Sequence, residues 1–126
     1  MIQQVADFEL ELMKTIWRNG GAALYAEIVA ALNAKGAPAT KNTIISLLSR
    51  LIDKGYLSSK KKGRCNTYTA LISEAEYQAA QTETFLKKVY ERNVGGLIST
   101  LIQKDLISAD DYEKLKKHWG GGAAND

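Results

Sequence analysis

The chain is expected to be mainly α-helical with one short β-hairpin, and three observations carry that expectation. Apolar residues recur at helical spacing through most of the sequence, good capping residues stand before those runs, and period-two alternation is confined to one stretch near the middle. At 126 residues, with 45% apolar residues and a single proline, the chain can bury a helical core and lacks the composition of a disordered one.

The first helix is expected from Ala6 to Arg18, where Phe8, Leu12 and Ile16 repeat every fourth residue. Its acids come early (Asp7, Glu9, Glu11) and its bases late (Lys14, Arg18), the order that the helix dipole favours. Asn19-Gly20-Gly21 ends it. A shorter helix fits Tyr25 to Ala34 around Ile28, Val29 and Leu32, and Lys35-Gly36-Ala37-Pro38 breaks the chain after it. Thr40 is a good N-cap for a third helix running to Lys54, with Gly55 as its stop. Ile44, Leu47, Leu48 and Leu51 form its apolar stripe, which leaves Asn42, Ser46, Ser49 and Asp53 on the opposite face, flanked by Ile45 and Arg50.

Tyr56-Leu57-Ser58 and Cys65 to Ala70 are expected to be paired strands, with Lys60 to Gly63 as the turn. Three helices and a basic hairpin make a winged helix-turn-helix over residues 1–71. Ser73 to Glu76 is a capping box for a long helix to about Glu91, and Gly95-Gly96 is expected to break the chain. A short apolar helix follows around Leu97, Ile98, Leu101 and Ile102, and a second capping box, Ser108 to Asp111, opens the last helix. Three short helices close a poor core alone, so residues 72–119 are expected to complete theirs against a second copy. Tyr77, Phe85, Leu86, Val89, Leu97, Ile98, Leu101, Ile102, Tyr112, Leu115 and Trp119 are the expected dimer contacts. Residues 120–126 are expected to be a flexible tail. The fold class is thus a winged helix-turn-helix followed by a three-helix C-terminal dimerisation region.

Charge points to the partner. Residues 40–70 hold seven cations against the single acid Asp53, net +6 in a chain of net +3, so the remainder sums to −3. Basicity concentrated in one stretch of an otherwise acidic chain suits a polyanion. A winged helix lays its third helix in the major groove, where hydrogen-bonding edges distinguish the base pairs. Lys41, Asn42, Thr43, Ile45, Ser46, Ser49 and Arg50 are the expected contacts on that helix: Asn42 suits adenine, Ile45 a thymine methyl, the serines either role. Thr40 and Thr43 equally suit local capping, and Arg50 has Asp53 as an alternative partner. Lys60, Lys61, Lys62 and Arg64 suit backbone phosphates, although lysine runs are more often plain solvated surface. Tyr68 either packs under the hairpin or reaches a phosphate. Trp17 and Trp119 are read as core or interface anchors.

Other chemistry is poorly supported. His118 and Cys65 stand far apart without a third catalytic partner, and no metal-ligand cluster or glycine-rich phosphate loop appears, so neither an enzyme nor a cofactor or metal is expected. Cys65 lies beside Arg64 and lysines that favour a thiolate, but a lone thiol in a strand is usually inert. A single cysteine offers no disulfide framework, and no apolar run is long enough for a membrane span, so a cytoplasmic protein is expected.

The chain resembles the penicillinase-repressor family of bacterial transcription regulators (the BlaI/MecI/CopY group) across residues 5 to 118. FELELMKTIW at 8–17, TKNTIISLLSRLIDKGYL at 40–57, the KxGRxxxY pattern from Lys61 to Tyr68 and the segment from Glu76-Tyr77 through Phe85-Leu86-Lys87-Lys88 to Tyr90 carry the resemblance in order. It implies a homodimer that represses transcription from a pseudo-palindromic double-stranded DNA operator. In the β-lactam branch a membrane sensor protease cuts the C-terminal helices. The matching bond here is Thr100–Leu101, in place of that branch's Asn-Phe, and core packing alone explains the segment. The copper-responsive branch carries a C-terminal cysteine cluster that this chain lacks. Two rival classes are a MarR-like regulator released by a small ligand and a winged-helix adaptor for proteins.

Overall fold

The computed structural model describes residues 4–36 and 39–123, so part of the expected break at Ala37-Pro38 and the last residues of the expected tail, 124–126, lie outside the described residues. The elements run α1 (Asp7–Arg18), β1 (Ala22–Leu24), α2 (Tyr25–Ala34), α3 (Lys41–Asp53), β2 (Leu57–Lys62), β3 (Cys65–Ala70), α4 (Glu74–Val89), α5 (Val94–Gln103) and α6 (Ala109–Ala123). The chain divides into two compact units, Met1–Gln81 and Thr82–Asp126, a boundary that falls inside α4 rather than before it.

In the first unit the three strands form an antiparallel sheet in the order β1-β3-β2. Ala23 and Ser59 flank Tyr68 on the two sides of β3, and Leu57 pairs with Ala70. The helices bury one face of this sheet. Leu12, Met13, Ile16, Ile28, Leu32, Ile44, Leu48, Leu51 and Leu57 are all essentially inaccessible, in one cluster. Each such side chain contributes roughly 1.5–3 kcal/mol by leaving water. Trp17 and Tyr77 then attach the start of α4. The Trp17 indole donates to the Ile72 carbonyl at 2.9 Å, the Val5 amide donates to the Tyr77 hydroxyl at 3.1 Å, and the two rings lie 5.8 Å apart. Tyr77 therefore leaves the set of expected dimer contacts: it is buried in the first unit, where its ring and hydroxyl are already engaged.

The second unit is built by its caps. Ser108 and Asp111 exchange side-chain and backbone hydrogen bonds at 3.0 Å each, as Ser73 and Glu76 do at the head of α4. Gly95-Gly96 does not break the chain, contrary to expectation; it lies in the first turn of α5. Asn93 is the N-cap, its side chain accepting from the Gly96 amide at 3.0 Å, and a Cβ on residue 96 would stand 2.8 Å from the Asn93 side-chain nitrogen. The reversal comes earlier, at Glu91 and Arg92, which both take positive φ. The last helix continues through Ala123, past the expected start of the tail at residue 120. No helix among the described residues is long and apolar enough to cross a membrane.

Candidate nucleic-acid interface

The geometry of α3 follows from its own pattern. Ile44, Leu48 and Leu51 are buried, Leu47 partly so, and this turns Lys41, Asn42, Thr43, Ser46, Ser49 and Arg50 outward, all exposed. Ile45 is 39% exposed, an apolar side chain held in the polar face with nothing in the fold to cover it. The helix starts sharply because the Thr40 hydroxyl accepts from the Thr43 amide at 3.2 Å and donates to the Thr43 hydroxyl at 2.9 Å. Thr43 thus serves the cap, yet its hydroxyl keeps its own proton to donate outward.

The hairpin is longer and its turn later than expected. Strand β2 runs on to Lys62, so the loop is Gly63-Arg64, with glycine at its first position taking a φ of 66°. Glycine at the first central residue suits the two-residue turns that match strand twist. Lys60, Lys61 and Lys62 are therefore strand residues and alternate between faces. Lys61 pairs with Asn66 on the side occupied by the helices, whereas Lys60 and Lys62 pair with Thr67 and Cys65 on the other. Asn66 joins the candidate face as a residue not anticipated. The alternation Asn66, Tyr68, Ala70 on one side of β3 was the available signal, since Tyr68 marks the inward direction.

Tyr68 itself is only 7% exposed and belongs to the core cluster, so of its two expected roles the structure gives packing under the hairpin; as a DNA contact it is withdrawn. Lys41, Arg50, Lys60, Lys61, Lys62 and Arg64 form no ion pair among the described residues, and Arg50 does not bond Asp53. Lys54 differs. Its ammonium lies 2.9 Å from the carboxylate of Glu9, a residue of α1 only 1% exposed, so this cation is paired where the others are free. Burial raises the Glu9 pKa, but the Ala6 amide, the Lys54 contact and the nearby Arg50 charge outweigh it and hold the carboxyl below its ordinary value. What remains outside is a hydrogen-bonding helix face beside a hairpin of four uncompensated cations.

Among the remaining expected interface residues, none of those described between 82 and 119 is buried. Phe85, Val89, Ile98, Ile102, Tyr112, Leu115 and Trp119 are exposed, the last at 77%, and Leu86, Leu97 and Leu101 are half-buried. Val94 and Leu106, not anticipated, are exposed as well. Val94, Ile98 and Ile102 repeat every fourth residue down one side of α5. The Thr100–Leu101 bond lies inside α5, with the Thr100 hydroxyl accepting from Tyr90 and donating to the Gly96 carbonyl, both at 3.0 Å. Cys65 is exposed, and no group of His, Cys, Asp and Glu suited to a metal occurs among the described residues.

Comparison with known proteins points to one family. Residues 5–120 match the family model described as penicillinase repressor. The penicillinase repressor of Bacillus licheniformis is 31% identical over 121 residues, covering 93% of each chain. A solution structure of monomeric B. licheniformis BlaI in complex with the blaP half-operator is 39% identical, with a TM-score of 0.51 over 61% of this chain and 92% of that one. H. salinarum RosR, 18% identical with a TM-score of 0.52, shares the fold over the whole of both chains.

Proposed function

The chain belongs to the penicillinase repressor family, and from that premise we infer that it is a transcriptional repressor that binds a two-fold operator as a homodimer. The carrying observation is the outward face of α3 beside the hairpin, whose cations are exposed and have no ion-pair partner among the described residues. A relative of the same family is known in complex with an operator half-site. Lys60, Lys61, Lys62 and Arg64 meet phosphates, which gives affinity and register. Lys41, Asn42, Thr43, Ile45, Ser46, Ser49 and Arg50 read the major groove, with Asn42 on adenine and Ile45 on a thymine methyl. Lys61 and Asn66, on the helix side of the hairpin, take the phosphates nearest α3.

Two copies are needed because one half-site gives too little discrimination and because the apolar sides of α4, α5 and α6 stand uncovered in a single chain. A symmetric pair of winged helices sets half-sites one or more helical turns apart. Occupying the promoter excludes the polymerase, in the cytoplasm where the DNA lies. Derepression by a sensor protease at Thr100–Leu101 requires α5 to unwind first, because a protease takes its substrate extended and this bond lies mid-helix.

Binding to a duplex from the chain's own upstream region and to a scrambled duplex at ~150 mM salt tests the reading. Operator preference of at least about 1,000-fold is expected; equal affinity for the two overturns it. Replacing Lys60, Lys61, Lys62 and Arg64 with alanine weakens both duplexes alike and flattens the salt dependence from a log–log slope of about −5 to −7. An unchanged slope removes the hairpin from the contact surface.

A further inference from the structure

The one deeply buried charge among the described residues stands at the joint between α3 and the hairpin. Glu9 on α1 is 1% exposed, and one carboxylate oxygen accepts from both the Ala6 amide and the Lys54 ammonium, at 2.9 Å each. Lys54 is the C-cap of α3 and Leu57 opens β2, so only Gly55, at a φ of 84°, and Tyr56 separate helix from hairpin. Tyr56 is buried as well, and its ring meets Tyr77 edge-on at 6.1 Å. The second carboxylate oxygen of Glu9 and the Tyr56 hydroxyl are the buried side-chain atoms left without a hydrogen-bond partner among the described residues. The Tyr56 hydroxyl pKa is raised by burial first, then by Tyr77 and by the Glu9 charge.

A carboxylate taken out of water is a costly way to hold a helix end, because an apolar side chain fills the same space without losing hydration. Its return is direction: a charge-assisted hydrogen bond fixes distance and angle where apolar packing fixes neither. Here the fixed end is the last turn of α3, and the strand that follows two residues later is the hairpin.

We propose that Glu9, acting through Lys54, is a positioning residue for operator selection, setting the angle at which α3 and the β2–β3 hairpin meet one duplex. Resting on the repressor reading above, this assigns an α1 side chain that faces no DNA a part in choosing DNA. Loss of the grip lets the hairpin cations keep their phosphates while the base-reading face of α3 shifts out of register. Affinity for arbitrary sequence survives and discrimination falls.

The test uses the full chain and two duplexes, operator and scrambled, titrated across salt. Glu9→Gln retains the acceptor for the Ala6 amide and loses the charge that holds Lys54; Lys54→Gln loses the other half. Each is expected to lower the operator-to-scrambled affinity ratio about tenfold while leaving scrambled-duplex affinity and the salt slope unchanged, and the double variant to be no worse than either single one. Lys54→Arg restores the ratio. Equal weakening on both duplexes, or additive losses in the double variant, overturns the proposal. So does a salt slope reduced by about one unit per half-site in Lys54→Gln, since that marks Lys54 as a phosphate contact. If Glu9→Gln does not melt cooperatively, Lys54→Gln and Lys54→Arg decide the matter alone. Wild-type protein without operator preference overturns the repressor reading and this proposal with it; preference kept intact in both Gln variants overturns the proposal alone.

Discussion

Leu48 and Leu115 are the same side chain on amphipathic helices, yet Leu48 is 1% exposed and Leu115 55%. The contrast runs through their whole surroundings. Residues 4–81 enclose a cluster of fully covered Leu, Ile and Met side chains and spend Trp17, Tyr56 and Tyr77 on closing it. Residues 82–119 bury nothing, although their helices are well capped and carry apolar stripes. Local helix signals and a closed core are separate achievements. The first unit has both. The second has only the signals, and under the proposed dimer its fold is a request for surface that a second copy supplies.

The largest effect should follow from denying that request. Ile102→Asp puts a carboxylate on the exposed stripe of α5, and the proposed two-fold interface would bring two such charges together. Burying unpaired carboxylates costs several kcal/mol, so the dimer dissociation constant should rise at least about 100-fold, or roughly 3 kcal/mol. Sedimentation should show monomers, with α1–α3 still folded by near-ultraviolet dichroism of Trp17. An intact dimer would show that α5 is not the contact.

Next come the two leucines themselves. Leu48→Ala opens a cavity in a closed core and should cost about 2–5 kcal/mol at any protein concentration. Leu115→Ala should cost under about 0.5 kcal/mol in dilute protein and more as concentration rises, because in the proposed dimer a second copy covers it. Urea melts at two concentrations separate them. Concentration-independent loss at Leu115 would mean that the second unit has a core of its own.

Acid should weaken the first unit through its buried carboxylate. Glu9 has its folded pKa below the ordinary 4.5, since the hydrogen bonds and cations around it outweigh burial. Its contribution is thus present above about pH 4.5, the unfolded value, and is lost as pH falls through the lower folded one. Between pH 6 and pH 3 the first unit's urea midpoint should fall, and Glu9→Gln should fall less steeply. Equal slopes would mean that other carboxylates carry the acid sensitivity.

How much of this was readable beforehand follows the same division. Helix α2 lies where Ile28, Val29 and Leu32 put it, and both capping boxes bond as Ser73…Glu76 and Ser108…Asp111 suggest, because these are interactions within one turn of chain. Strand β1 was not legible: three residues, Ala22–Leu24, have no period of their own and become a strand only because β3 offers an edge. Glu9 read as one more acid in a first turn, and Lys54 as one more cation on the basic face. Their pairing spans 45 residues and exists only once α1 and α3 are packed. Tyr77 was misplaced and Tyr68 left between two roles for that reason too, since an aromatic at a boundary can face either way until its neighbours arrive. On the candidate face itself, the α3 residues stand where their spacing sends them, whereas the lysines of β2 are split between two faces by a turn that begins three residues later than its composition suggests.

Gly95 and Gly96 sharpen the division at its finest grain, because local helix terms weigh most where no core overrides them. Both lie in the first turn of α5 with ordinary backbone angles, so alanine meets no strain from φ at either. At residue 95 a new Cβ would be 3.6 Å from the Asn93 side chain, an ordinary contact, and the substitution should stabilise the helix by about 0.5–1 kcal/mol. At residue 96 the Cβ would be 2.8 Å from the same side chain, which must swing away and release the amide that it caps. Losing that cap costs about 1 kcal/mol, so Gly96→Ala should gain nothing. Melting the two variants at one fixed concentration should therefore place Gly95→Ala above wild type and Gly96→Ala at or below it. Equal gains would show that Asn93 does not hold the start of α5, leaving the apolar stripe alone to fix where that helix begins.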